Sequence, residues 1–188
     1  TRTINMSRLA DALCATGSAS VFPTNPRTPD LKEKTLAEPV AHKQVSGPPV
    51  RLLFVYNSNP AAIAPDTTRV LHGLKRDDLF TVVHEQFLTD TTDYADIVLP
   101  ATTQLEHTDL HTTYGHHYVQ LNEPAIAPLG EARCNTDVFR QLAARLGLEP
   151  ELFAVTDEQL AREALWETAP EQPPALRGIT VDVLRHEG

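Results

Sequence analysis

Two runs, Leu52-Leu53-Phe54-Val55-Tyr56 and Leu79-Phe80-Thr81-Val82-Val83, decide the fold. Each is short, unbroken and rich in β-branched or aromatic residues, the pattern of a strand buried on both faces of a parallel sheet. Asn57-Ser58-Asn59-Pro60 stops the first run. Between the two, Val70, Leu71 and Leu74 share one side of a helix that Asp66 or Thr67 can cap and that runs to about Lys75. Ile97-Val98-Leu99 reads as a third, shorter strand stopped by Pro100. Strand, helix, strand at this spacing predicts a βαβ unit with a right-handed crossover. The fold class is therefore α/β: a Rossmann-like parallel sheet with flanking helices.

Downstream, residues 101–117 are polar and histidine-rich, and Tyr118-Val119-Gln120-Leu121 reads as another strand. A helix follows from Asn135 or Thr136 to Leu146, with Val138, Phe139, Leu142, Ala143 and Leu146 on one side and Gly147 as its C-cap. Thr156 and Gln159 have the spacing of a capping box, starting a helix to about Trp166. The segment from Gly178 to His186 reads as a short, partly ordered tail. Upstream, Met6, Leu9, Ala10 and Leu13 form the apolar face of a short helix over 4–13, ended by Gly17. Pro23, Pro26, Pro29, Pro39, Pro48 and Pro49 then punctuate a stretch without periodicity, an irregular proline-rich connection. Three regions result: 1–49, the short helix and this connection; 50–150, the α/β domain; and 151–188, a helix and tail leading towards a further domain.

The 188 residues suffice for one domain with extensions. Asp and Glu outnumber Lys and Arg by 25 to 16, a net charge of -9, which argues against a binder of nucleic-acid backbones. Two cysteines, Cys14 and Cys134, are too few for an iron–sulfur cluster and read as reduced thiols. No apolar run is long enough to span a membrane, and no signal peptide is visible, so the expectation is a cytoplasmic protein without a membrane span. The start at Thr1, without methionine, is what a fragment or processed product would show.

Ligands of parallel sheets bind beyond the carboxyl ends of the strands. Two loops leave such ends: Asn57-Ser58-Asn59-Pro60, and His84 through Asp90. If the strands are neighbours, these loops face one crevice. Glu85 can accept from the N–H edge of guanine or from ribose hydroxyls, and Thr89 can offer its hydroxyl to a phosphate or sugar. There is no GxGxxG and no P-loop, so ordinary strand-to-helix loops, with Glu85 solvated and Thr89 a cap, remain the competing account.

His107, His111, His116 and His117 crowd together with Glu106 and Asp109. No HExxH occurs, and Thr112, Thr113 and Gly115 oppose the helix that would align His107 with His111, so a solvated or substrate-lining loop is the better reading than a metal site. No GxSxG is present and Ser58 has no evident base, so no catalytic residue is assigned.

The stretches LLFVYNSNPAAIAPDTTRVLHGL and FTVVHEQFLTDTTDYADIVLPATTQLEH add a specific likeness. The block holding Phe87, Thr89, Ala95, Asp96, Leu99, Pro100 and Glu106 resembles F-x-T-x-T-x-x-x-A-D-x-x-L-P with a following glutamate. That is the signature of the third domain of the dimethyl-sulfoxide-reductase family of molybdopterin oxidoreductases, which includes formate dehydrogenases and periplasmic nitrate reductases. The likeness covers about 50–147 and is fainter at 1–14 and 177–188. It implies a fragment of a larger enzyme, whose Rossmann-like domain helps hold a molybdopterin guanine dinucleotide. Carried over by position, the contacts are Asn57, Ser58, Glu85 and Thr89, with Glu85 standing where the family often has Asp. His117 stands where many relatives have arginine, a titratable ring in place of a permanent cation. The resemblance places the molybdenum ligand, an iron–sulfur module and a closing barrel in other domains of the same enzyme. Redox catalysis on a small-molecule substrate is then expected only of the full-length protein, the fragment alone being inactive. The alternative is a non-catalytic α/β nucleotide-binding or interaction module; a small metal-binding protein is the third reading.

Overall fold

The structure is a computed structural model that describes residues 6–14, 48–112 and 114–187. Most of the proline-rich connection, and the proposed helix end at Gly17, lie outside these residues. The described residues fall into two compact units, those of 1–83 with 88–98 and those of 84–87 with 99–188. The boundary thus runs inside the 50–150 stretch that the sequence groups as one domain. Among the described residues, no helix is long and apolar enough to cross a membrane.

In the first unit a 3-10 turn, Met6–Arg8, leads into α1, Leu9–Cys14. After β1, Leu52–Tyr56, come the short α2, Pro60–Ile63, and α3, Thr67–Leu74. Their core joins Ala10, Leu13, Ala61, Ala64, Val70, Leu74 and Leu79. α1 and α3 approach so closely that a Cβ on Gly73 would lie 2.5 Å from the Leu13 Cβ. Asp66 is the N-cap of α3, in a left-handed conformation with φ 59°, but its side chain makes no capping bond. It accepts instead from Arg69 Nη1 at 3.3 Å, the same guanidinium that reaches Asp11 at 2.9 Å.

β2, Phe80–Glu85, and β3, Ile97–Pro100, complete a three-stranded parallel sheet in the order β1-β2-β3, flanked by helices. The α/β class read from the sequence holds. Burial is less even than the apolar runs suggest. Thr81, Val82, Val83 and His84 of the central β2 are all buried, whereas Leu52 and Tyr56 on β1 and Ile97 and Val98 on β3 are exposed. Apolar composition reports what a strand can bury, while its place in the sheet decides what it does bury.

The second unit contains a hairpin. β4, Asp109–Thr112, pairs antiparallel with β5, Val119–Asn122, in the register Leu110 to Leu121 and Thr112 to Val119. β4 lies in the polar stretch 101–117, where composition predicts no regular element. Its period-two face explains it: Leu110, Val119 and Leu121 pack on Ala161, Leu165 and Val181. α4, Asn135–Leu146, ends at Gly147 in the left-handed conformation, as expected, but its N-cap is Cys134 rather than Asn135 or Thr136. α5, Pro150–Phe153, precedes α6, Asp157–Ala164, which opens with the Thr156–Gln159 capping box. The segment expected to be a loose tail forms α7, Val181–Glu187. Val181 is fully buried, its N–H donates to Glu167 Oε1 at 2.6 Å, and Thr180 Oγ1 accepts from Val183 N.

Candidate functional site

The chain leaves β1 through Asn57, a non-glycine residue at φ 51°. Asparagine tolerates this left-handed turn better than most residues, which sends Ser58 and Asn59 off the strand axis. Asn57 is exposed and Ser58 half-buried. Pro60 then occupies the first position of α2, where a missing N–H costs nothing.

Asn59 is the N-cap of α2 by position, yet its side chain does not cap that helix. It spans to the loop after β2. Its Oδ1 accepts from Thr91 N at 3.2 Å and from Thr91 Oγ1 at 2.7 Å, and its Nδ2 donates to Asp90 Oδ2 at 3.2 Å. Thr91 Oγ1 in turn accepts from Ala61 N at 3.1 Å. The hydroxyl of a residue 30 positions away thus satisfies an orphan N–H of the α2 first turn. Thr91 is fully buried. These four bonds clip the loop bearing Asn57 and Ser58 to the loop bearing Thr89, both within the first unit.

Thr89 lies two residues before Thr91. Its carbonyl accepts from Thr92 N at 2.9 Å and from Thr92 Oγ1 at 2.6 Å. Its own hydroxyl is shielded and makes no hydrogen bond among the described residues. An unpaired buried polar group of this kind costs about 1–3 kcal/mol.

Glu85, in the second unit, is half-buried at the end of β2, and its Oε1 accepts from Gln86 N at 2.7 Å. One amide donor leaves a carboxylate most of its acceptor capacity. Gln86 Nε2 donates to Thr102 O at 3.0 Å.

Asp96 and Glu106, which belong to the loop signature, act as scaffold. Asp96 Oδ2 accepts from Thr81 N at 2.7 Å, while its own N–H donates to Thr81 O at 2.8 Å. Glu106 is buried. Its Oε2 accepts from Thr103 N at 2.7 Å and Thr103 Oγ1 at 2.9 Å, and its Oε1 accepts from Leu129 N at 2.6 Å. These donors, the two backbone amides foremost, hold the Glu106 carboxyl below the usual glutamate range.

The histidines are dispersed. His107 Nδ1 lies 2.8 Å from Thr102 Oγ1, His111 sits on β4 opposite Gln120, and His116 Nδ1 accepts from Tyr118 N at 3.2 Å. His117 is exposed. Among the described residues, no three His, Cys, Asp or Glu side chains are grouped so as to hold a metal ion. Cys14 and Cys134 are free thiols; burial pushes the Cys14 thiol up, and its Sγ donates to Arg69 O.

Sequence reasoning singled out Asn57, Ser58, Glu85 and Thr89 and passed over Asn59 and Thr91. The available signal was the second threonine of the T-x-T pair and an asparagine before a helix-starting proline. What they bond to, 30 to 32 residues apart, is a tertiary fact.

A model of the molybdopterin oxidoreductase family matches residues 8–145. The chain is 53% identical over 118 residues to the probable oxidoreductase YoaE of Bacillus subtilis, covering 63% of this chain and 17% of that protein. It is 35% identical over 127 residues to the dimethyl sulfoxide/trimethylamine N-oxide reductase of Cereibacter sphaeroides, covering 66% of this chain and 15% of that protein. Among solved structures, acetylene hydratase from Pelobacter acetylenicus superposes with a TM-score of 0.52 at 31% identity, over 61% of this chain and 16% of that one. The chain therefore spans about a sixth of the length of these relatives. It belongs to the molybdopterin oxidoreductase family, in the dimethyl-sulfoxide-reductase branch that its loop signature resembles.

Proposed function

We propose that this chain is the part of a larger molybdopterin oxidoreductase that helps hold the cofactor in its guanine dinucleotide form. The molybdenum ligand, the iron–sulfur centre and the substrate site belong to the remaining domains of the same enzyme. The family membership supports the cofactor class, because the pterin carries the metal and its redox chemistry while protein groups bind and orient it. The observation that carries the local assignment is the shielded, unpartnered Thr89 hydroxyl in the loop after β2. Turning outward to a phosphate or ribose oxygen would cost it no protein bond and would supply the missing one. Asn57 and Ser58, at the end of β1, supply small polar groups to the same end of the first unit. Glu85, with acceptor capacity to spare, suits the two N–H donors of a guanine edge. Once bound, the cofactor supplies electron transfer at molybdenum; these side chains only position it.

Fold kinship alone does not set the reaction, since one structural relative is named a hydratase rather than an oxidoreductase. The test is therefore on cofactor content. Glu85→Ala and Thr89→Val in the full-length enzyme should each weaken the hold on the dinucleotide about tenfold, the affinity loss expected of one charge-assisted contact, read as less guanine nucleotide and molybdenum per polypeptide after prolonged dialysis. Circular dichroism should stay at the parent level. Parent-level nucleotide in both variants would remove these side chains from the site. A full-length protein without molybdenum or guanine nucleotide would leave a non-catalytic α/β module as the account.

A further inference from the structure

We infer that Asn59 and Thr91 are positioning residues for the dinucleotide, an inference that rests on the reading above. The clip lies wholly in the first unit and brackets the proposed contacts. Asn59 directly follows Ser58, and Thr91 follows Thr89 by two residues. The two loops follow neighbouring strands, β1 and β2, which fix their roots; beyond the strand ends their spacing depends on the bonds that join them. Four bonds do: Thr91 N and Thr91 Oγ1 to Asn59 Oδ1, Asn59 Nδ2 to Asp90 Oδ2, and Ala61 N to Thr91 Oγ1. Every polar atom of the Asn59 amide is used across the loops rather than on its own helix, although asparagine is among the better N-cap residues. Thr91 takes over part of that role from the far side. Such an exchange makes the position of α2, and of the Asn57–Ser58 turn before it, depend on the second loop. Ligand groups held by two loops need their spacing kept to a few tenths of an ångström. Asn59 and Thr91 thus act through Asn57, Ser58 and Thr89 and touch no cofactor themselves.

The geometry also designs the test. Asn59→Asp keeps both bonds from Thr91 but sets a second carboxylate against Asp90, in place of the donor now 3.2 Å away. The double variant Asn59→Asp with Asp90→Asn restores one amide and one carboxylate with their places exchanged. In the loaded full-length enzyme, the release rate of guanine nucleotide is measured during dialysis well below the melting temperature, at about pH 8 and about pH 4, on either side of the region where two facing carboxylates lose a shared proton. Asn59→Asp is expected to release nucleotide about tenfold faster than the parent at about pH 8 and nearer the parent rate at about pH 4. The double variant should return to within about twofold at both pH values, and Thr91→Ser should match the parent. The melting temperature of the unloaded protein is followed alongside, because a merely structural role would lower it and leave the release rate of the folded fraction unchanged. That result, a pH-independent release rate in Asn59→Asp, or a double variant that releases as fast as the single one would overturn the inference. Its failure is separable from that of the parent reading: there, nucleotide would be absent or indifferent to Glu85→Ala and Thr89→Val, whereas here it would be present and dependent on them.

Discussion

The clip of the first unit and the Glu106 turn of the second solve one problem with different chemistry. Both pin a loop to a distant stretch of chain. Around Asn59 and Thr91, three of the four bonds join neutral groups, an amide, a hydroxyl and backbone N–H. Around Glu106, a single buried carboxylate gathers three donors from residues 103 and 129. A neutral clip is indifferent to salt and nearly so to pH, but it weakens when the Thr91 hydroxyl is removed, because the buried Ala61 N–H is left unpaired. A carboxylate hub is strong while ionised and carries its own pH limit. The loops offered to the cofactor thus have the less condition-dependent support.

The sharpest way to break this contrast is Thr91→Val, which keeps shape and removes the hydroxyl. It orphans Ala61 N and one bond to Asn59 Oδ1, and should cost about 2–4 kcal/mol by urea denaturation. A loss below half a kcal/mol would show that the clip is redundant. Gly73→Ala comes next. Helix propensity alone favours the change by up to about 1 kcal/mol, but the new Cβ would meet Leu13 Cβ at 2.5 Å. A net loss of about 1–3 kcal/mol is expected, the cost of overpacking; a gain would show that α1 yields to α3 freely.

Glu106→Gln sharpens the other side. Because hydrogen bonds depress the folded-state value, the unfolded chain takes up this proton at higher pH than the folded one. The stabilisation is complete above the ordinary glutamate value of about 4.3 and is lost as pH falls through the depressed one. Glu106→Gln should lower the melting temperature at pH 7 and make its decline between about pH 5 and pH 3 shallower than in the parent. Equal slopes would place the acid sensitivity elsewhere, with Glu158 and Asp182 next in line, since arginine neighbours hold both low.

The smallest effect belongs to Arg185, which reaches Glu123 at 2.8 Å and Glu158 at 3.4 Å on the surface. Arg185→Gln should change the melting temperature by no more than about 2 °C, and less in high salt. A larger shift would mean that the network around Arg162 and Arg185 acts as one unit.

The sequence by itself determined what depends on neighbours along the chain. The run 52–56 became β1 and the run 79–83 most of β2, Gly147 ends α4 in the left-handed conformation, and Thr156 with Gln159 closes its box, because propensity, capping and φ preference act within a few residues. The loop signature was legible as a family mark, and Asn57, Ser58 and Thr89 as residues beyond strand ends, whereas Glu85, read as a loop residue, is the last residue of β2. Tertiary structure decided everything that needs a partner far away. β4 exists because Leu110 has Leu121 opposite it and an apolar cluster beneath. α7 forms because Val181 is buried. Among the described residues the Thr89 hydroxyl is left without a bond, while the Thr91 hydroxyl, two residues on, makes two. Two threonines of like local chemistry differ only in what the fold brings to them, and a hydrogen bond across 30 residues leaves no periodicity in the sequence to read.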